Sequence, residues 1–441
     1  MLIVFHAPNH TLTSGALQIR TWVILLLILA YCYFWFQYSP QTFPQLPTLT
    51  KPKLETQNVT KKGVEGLVEA NNTFALNLYK TLINKSNSNI FYSPYSMSSA
   101  LAMTYEGAKG QTAGEISQVL GFPKLEELRS NFTVIYNEIN KTNKEYKLNT
   151  GNALWVQKDY QLLPEYLSNV AKYYGGKATN LDFVKETEKS RVTINTYIEK
   201  QTNDKIKDLI PRDLLTASTS LVLTNAIYFK GEWIWQFNEK ETKNEDFNIS
   251  LLRKIKAPLM HLSNKETYFK YAETSEMQAI ELPYQGDDLS MLIILPKNNL
   301  QDTEKKLSIN KLNEWKSLMK DEKVEQIYLP KFKFDTKYSM VAALKNMGMK
   351  AAFSSQADFS GINGSKNLYI SDVIHQAFVQ VDEQGTEAAA ATAIMVSLGS
   401  AMNVPKPKPI IFRADHPFIF LIQQKQTGNI LFIGRVIDPT L

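Results

Sequence analysis

Apolar residues recur at two different periods along this chain, and the change of period divides it. Between Ala70 and Leu82 they fall at Phe74, Leu76, Leu78 and Leu82. That spacing lays them along one side of a helix, with Asn71 or Asn72 placed to cap it. Tyr95–Tyr105 (YSMSSALAMTY) is small and apolar on most sides, which predicts a buried helix. Ser190–Leu209 reads as a helix with a polar outer face. Beyond it the runs shorten: Leu221–Phe229, Gln278–Leu282, Ser290–Leu295 and Gln326–Phe334 predict strands. Pro417–Gln423 and Asn429–Val436 predict two more, separated by a Gln426-Thr427-Gly428 turn. Helices in the first third and strands in the rest make an α+β protein with one or more large antiparallel sheets.

The N-terminus follows neither period. Trp22–Phe36 (WVILLLILAYCYFWF) is unbroken apolar sequence, Arg20 is the only Lys or Arg before Lys51, and the first acid is Glu55. A basic residue before such a run fits a secretory signal, whose apolar region spans roughly 7–15 residues. A membrane span needs about 20. The polar lead (residues 1–21) and the lack of a small-x-small cleavage site fit an uncleaved type II anchor equally well. Either fate places the body outside the cell, with membrane contact only through residues 22–36 if they stay attached. Eight Asn-x-Ser/Thr triplets (Asn9, Asn58, Asn71, Asn84, Asn131, Asn140, Asn248, Asn363) are compatible with a glycoprotein. Residues 37–68, with Pro40, Pro44, Pro47 and Pro52, read as an extended stalk. The body then runs from 69 to 441.

Composition narrows the chemistry. The 441 residues hold 49 Lys+Arg against 43 Asp+Glu, a net charge of +6. A nucleic-acid binder of this size needs a denser basic face. Cys32 is the only cysteine, so no intrachain disulfide and no cysteine-based zinc site can form. The body's three histidines (His261, His375, His416) lack the HExxH spacing, and no metal or other cofactor is expected. Ser93, Ser96, Asn225 and His375 resemble a hydrolase set, yet there is no GxSxG. Gly107–Thr112 has the wrong Gly-Lys order for a phosphate loop.

Residues 373–396 carry the most information. A β-type run ends in Asp382 and Glu383, Gly385 supplies a pivot, and Thr386–Ala393 (TEAAAATA) has almost nothing but small side chains. An alanine-rich helix is one reading. Against it, Glu387 is the sole charge in the stretch, and the chain runs on into Ser397–Pro409 (SLGSAMNVPKPKP), the composition of an exposed extended loop. Read at a period of two, Thr386, Ala388, Ala390, Thr392, Ile394 and Val396 share one face. A strand this slim fits between two existing strands, where bulky residues or proline would block entry.

At this point the chain resembles the serpin family, over roughly residues 69–441. Glu383–Ala393 (EQGTEAAAATA) is similar to the hinge of an inhibitory member's reactive loop, here about 383–409, with Glu383, Gly385, Thr386, Ala388, Ala389, Ala390 and Ala391 as hinge residues. Asn89–Ile116, Thr224–Phe237 (TNAIYFKGEWIWQF), His416–Ile419 and Ile430–Pro439 match further family segments in the right order. The resemblance implies an α+β fold with a large, mainly antiparallel central sheet, further sheets, surrounding helices and an exposed reactive loop. It implies a protease inhibitor, not an enzyme. A serine protease, or a cysteine protease, attacks the loop as substrate, and the cut loop enters the central sheet as a new strand before the acyl-enzyme hydrolyses. A non-inhibitory carrier or chaperone is the alternative. Ser93, Ser96, Asn225 and His375 then correspond to a buried hydrogen-bond cluster where that sheet opens, and Trp233 to an indole at its top.

The family's usual spacing from Glu383 puts the cleaved bond at Gly399–Ser400, with Leu398 and Met402 as alternatives. Counting back from His416 lands near Val404–Lys406, so the loop is longer than usual on its C-terminal side. Lys406 and Lys408 each precede proline, a poor position after a scissile bond. Leu398, Gly399, Ala401 and Met402 suit elastase- or chymotrypsin-like pockets. Lys141, Lys144 and Lys147 lie where some family members bind heparin, but Glu138 and Glu145 dilute them, so any glycosaminoglycan binding is expected to be weak.

Overall fold

The computed structural model describes residues 59–84, 86–141, 144–264, 267–386 and 408–441. The apolar run 22–36 and most of the 37–68 stretch lie outside them. Among the described residues no helix is long and apolar enough to cross a membrane.

Helix α1 (Lys61–Ile83) begins where the Thr60 hydroxyl accepts the Gly63 N–H at 3.0 Å. Residues 61–68, assigned to the stalk from sequence, are therefore helical, and the buried Leu67 and Val68 extend the apolar stripe of Phe74, Leu78 and Leu82. Asn71 and Asn72 sit inside this helix and cap nothing. They reach the C-terminal turn at Gly428–Ile430 instead: Asn71 Nδ2 donates to Ile430 O at 3.0 Å and Asn72 Nδ2 to Gly428 O at 2.9 Å. Helix α2 (Pro94–Gly107) is buried along its whole length, as its composition predicted. Helices α3 (Gly110–Leu120), α4 (Leu125–Ile139) and α5 (Pro164–Tyr174) follow. Helix α6 (Thr187–Gln201) stops well short of Leu209. Asn203, Asp204 and Asp208 take positive φ there, which ends the helix and which Asn and Asp tolerate best.

The strands form three sheets. The central one has six, in the order β12 (Phe332–Ser339), β13 (Ile370–Val381), β14 (Gly385–Thr386), β4 (Leu221–Glu232), β2 (Tyr146–Gln157) and β3 (Lys177–Leu181). A seven-stranded sheet runs β1 (Ile90–Tyr92), β17 (Ile430–Val436), β16 (Phe418–Gln424), β9 (Leu289–Pro296), β8 (Met277–Pro283), β7 (Phe269–Glu273) and β10 (Lys320–Glu322). The third has β15 (Ile410–Arg413), β11 (Val324–Pro330), β6 (Arg253–Ser263) and β5 (Lys243–Ser250). The run Gln326–Phe334, expected as one strand, divides at Pro330–Lys331 into β11 and β12, which belong to different sheets.

The core lies between the first two sheets. Phe91 of β1 stacks on Phe432 (ring centroids 5.2 Å apart) and Phe420 (5.7 Å), and meets Phe334 of β12 edge-on at 6.5 Å. Helix α2 packs against β2, β4 and β17, so one buried helix fixes the middle of the central sheet to the sheet behind it.

Candidate functional site

The central sheet contains a seam. β13 and β4 run parallel and pair from Ile370↔Leu221 to Phe378↔Tyr228. Beyond Phe378 they part, and β14 fills the gap, antiparallel to both: Thr386 pairs with Val381 on one side and Gly231 on the other, and Gly385 pairs with Glu232. The chain turns sharply to get there. Asp382 N–H donates to Gly385 O at 2.9 Å, and Gly385 N–H to Asp382 O at 3.2 Å. A Cβ on Gly385 would lie 2.2 Å from Gly231 O and 2.6 Å from Glu232 Cα, both rigid backbone, so only glycine fits.

The segment after β4 holds this turn. Trp233 N–H donates to Gln384 O and Phe237 N–H to Glu383 O, each at 2.8 Å. The Trp233 indole N–H donates to Asp382 O at 3.1 Å, and its ring stacks on Tyr284, centroids 4.6 Å apart and 13° from parallel. The Tyr284 hydroxyl lies 2.7 Å from Thr386 Oγ1, the side chain that faces the sheet interior. Glu383 is buried, with the Lys331 ammonium at 2.8 Å and the Thr242 hydroxyl at 2.7 Å. Burial alone would raise this carboxyl; the Lys331 and Thr242 hydrogen bonds outweigh it and hold the group below the usual carboxylate range. Together with Glu239, Asp382 and Gln384 these side chains line a cleft of about 480 Å³ beside the turn.

Halfway along the seam sits a buried polar cluster. His375 of β13 accepts the Ser93 backbone N–H on Nε2 at 3.1 Å, which leaves the ring proton on Nδ1, facing Asn225 Oδ1. Asn225 of β4 donates through Nδ2 to Ser96 O (2.8 Å), Ser96 Oγ (2.6 Å) and Asn152 Oδ1. Ser96 Oγ also donates to Asn152 Oδ1 at 3.1 Å. Burial pushes His375 down to about 3, so the imidazole is neutral at any physiological pH. Ser93 caps α2 by accepting the Ser96 N–H, and its hydroxyl donates to Leu431 O at 2.6 Å. No Ser–His pair of a hydrolase exists here: His375 meets the Ser93 backbone and not its hydroxyl. The cluster ties α2, β2, β4, β13 and β17 together across the seam.

The sequence-derived set thus divides in two. Ser93, Ser96, Asn225 and His375 meet in one cluster, and Trp233, Glu383, Gly385 and Thr386 in the other. Ala388, Ala389, Ala390, Ala391, Leu398, Gly399, Ser400 and Met402 lie outside the described residues. Asn152, Tyr284 and Lys331 complete the two clusters and carried no sequence signal, because each arrives from a segment remote in sequence: Asn152 from β2, Tyr284 from just past β8 and Lys331 from the break between β11 and β12. Among the described residues no group of three or more His, Cys, Asp or Glu is placed to hold a metal ion. Lys141 is paired with Glu138 yet more than half exposed, Lys144 is mostly buried with Asp288 at 2.5 Å, and Lys147 is exposed. Asn71 and Asn131 are buried, which removes two of the glycosylation triplets from the surface of the folded chain.

Residues 69–439 match the sequence model of the family described as serpin (serine protease inhibitor). The chain is a serpin. A serpin-like protein of Methanosarcina acetivorans, named as uncharacterized, is 44% identical over 378 residues, covering 85% of this chain and 88% of that protein. The leukocyte elastase inhibitor of Sus scrofa is 40% identical over 385 residues, covering 85% and 100%. Among solved structures, human thyroxine-binding globulin superimposes with a TM-score of 0.77 at 30% identity, covering 86% of this serpin and 100% of that chain. The family is one of protease inhibitors rather than enzymes, and this fold is also that of a thyroxine-binding protein.

Proposed function

We propose that this serpin inhibits serine-type endopeptidases as a suicide substrate. A target enzyme opens the loop at Gly399–Ser400, with Leu398 or Met402 as the neighbouring choices, and forms an acyl-enzyme. The freed strand then extends β14 down the seam, parting β13 from β4 and carrying the enzyme with it before water releases it. The single observation that supports this reading is β14 itself: Gly385–Thr386 already sits between β13 and β4 in the register a longer strand would continue.

Insertion exchanges one ladder for two. The parallel β13–β4 pairing is lost, and the new strand is antiparallel to both neighbours. A net gain of about a dozen backbone hydrogen bonds at ~1 kcal/mol each is on the order of ten kcal/mol, enough to distort an enzyme's active-site region. Thr386, Ala388, Ala390 and Thr392 would face one side of the sheet as Thr386 does now, and their small volumes let the seam open without a cavity or a clash.

Small and apolar residues around the bond, together with the likeness to an elastase inhibitor, favour elastase- or chymotrypsin-like targets. We place the protein outside the cell, secreted or held by residues 22–36. Glycosaminoglycan affinity is weak in this reading, since the acids beside Lys141 and Lys144 compete for them. Incubation with elastase and chymotrypsin tests the proposal. Inhibition gives a denaturant-resistant covalent complex, whereas a carrier is merely cut. Ala390→Pro should turn the protein into a substrate while leaving its fold intact, because proline lacks the donor that the ladder needs. Undiminished trapping by that variant would contradict strand insertion.

A further inference from the structure

The β5–β6 hairpin ends in a two-residue tip, Leu251–Leu252, between the paired residues Ser250 and Arg253. Both leucines are fully exposed. Their neighbours behave otherwise: Phe247 is buried, and Ile249 and Ile255 pack half-buried against the core. Tight hairpin turns favour Asn, Asp or Gly, which relieve the backbone, so turn geometry gives no reason for a leucine pair. Each leucine left in water forgoes about ten- to a hundredfold in partition toward an apolar phase.

Charge follows at once. Arg253, Lys254 and Lys256 each expose more than half of their side chains. Lys305, on α7 (Leu300–Lys306), lines the same cleft of about 1080 Å³ that the leucines border. The facing acids are Asp246, half exposed and shared by Lys254 and Lys256; Asp302, beside Lys305; Asp438, buried and 3.9 Å from Arg253; and Glu304, buried and paired with Arg435 at 2.8 Å. Four cations therefore stand against two exposed carboxylates, and the rim of the tip is positive. Along the strand, Lys254 trails Leu252 by two residues and Lys256 by four, about 7 and 14 Å. That order, apolar at the end and cationic behind it, reproduces the layering of an anionic bilayer: an acyl boundary under a negative headgroup plane.

We propose that the β5–β6 tip docks on anionic lipid, with Leu251 and Leu252 entering the acyl boundary and Arg253, Lys254 and Lys256 remaining among the headgroups. None of these residues belongs to the hinge or the seam, so the proposal stands apart from the inhibitory reading.

The full chain can be tested with one label. Cys32→Ser removes the only native thiol, and Leu252→Cys accepts an environment-sensitive fluorophore. Because residues 22–36 can tether the chain to vesicles by themselves, the measurement is the environment of the tip and not co-sedimentation. On phosphatidylcholine vesicles containing about a third phosphatidylserine, the emission should shift to the blue and be quenched by nitroxide lipids. Lys254→Ala with Lys256→Ala should weaken that response about 25-fold, on about fivefold per cation. High salt should weaken it as well. An aqueous spectrum on anionic vesicles overturns the proposal, as does equal insertion into pure phosphatidylcholine. A blue shift without lipid that grows with protein concentration would assign the tip to a second copy of the chain and overturns it too.

Discussion

Gly385→Ala isolates the hinge from the rest of the molecule. The added Cβ would fall 2.2 Å from Gly231 O and 2.6 Å from Glu232 Cα, and both atoms belong to a strand clamped by β2 on its other side. Neither can yield as a flexible side chain would, so β14 must leave the seam. Three register pairs go with it (Gly385↔Glu232, Thr386↔Gly231 and Thr386↔Val381), and the Thr386 hydroxyl withdraws from Tyr284. At ~1 kcal/mol net for each of these four interactions, the inserted hinge loses about 4 kcal/mol, roughly a thousandfold in population. Two assays read this directly. Trp233 stacks on Tyr284 and donates to Asp382 O, so its emission should move toward that of a solvated indole. Amide exchange should quicken at Val381, Gly231 and Thr386, while the amides of β16 and β17 keep their protection. The same variant should form less covalent complex per protease added, because the inserted strand needs Gly385 in this place. Unchanged Trp233 emission together with unchanged exchange at Val381 and Gly231 would refute the argument that glycine is required by close approach.

The polar cluster predicts a pH dependence of definite sign. His375 is held near 3 in the folded chain against about 6.5 when solvated, so the unfolded or opened chain binds the extra proton. Stability contributed by the neutral ring is complete above about 6.5 and is lost as pH falls toward 3. A denaturant series across that range should show the loss, and His375→Gln should flatten it. Asn152→Ala removes the shared acceptor of Asn225 Nδ2 and Ser96 Oγ. That should cost ~1–3 kcal/mol in denaturant stability and speed thermal opening of the seam, seen as faster exchange at the amides of β13 and β4. A cost indistinguishable from zero would mean that the cluster does not hold the seam.

The two clusters were unequally legible. Gly385 and the alanine run announced themselves, because an inserting strand constrains side-chain volume and volume is written in the sequence. His375 and Asn225 were found only by likeness to a family. Asn152, Tyr284 and Lys331 were invisible, since a polar residue carries no mark of the partner it will meet from a segment distant in sequence. Helix ends misled in both directions. Thr60 starts α1 before the strong apolar period sets in, and the left-handed residues from Asn203 onward end α6 before its pattern fades. The division of Gln326–Phe334 into strands of two sheets depends on where each half finds a partner, which the alternation of apolar residues does not specify.

By itself the sequence determined what kind of strand the 386–396 segment can make: slim, two-faced, free of proline and preceded by a glycine. Such properties are local, set by side-chain size and backbone freedom, and they survive in any surroundings. Only the tertiary structure decided that β13 and β4 lie parallel, that they part beyond Phe378, and that Gly385–Thr386 occupies the opening. The β13–β4 and β14–β4 pairings join residues more than a hundred positions apart, where the free energy depends on which surfaces meet and not on what each segment prefers alone.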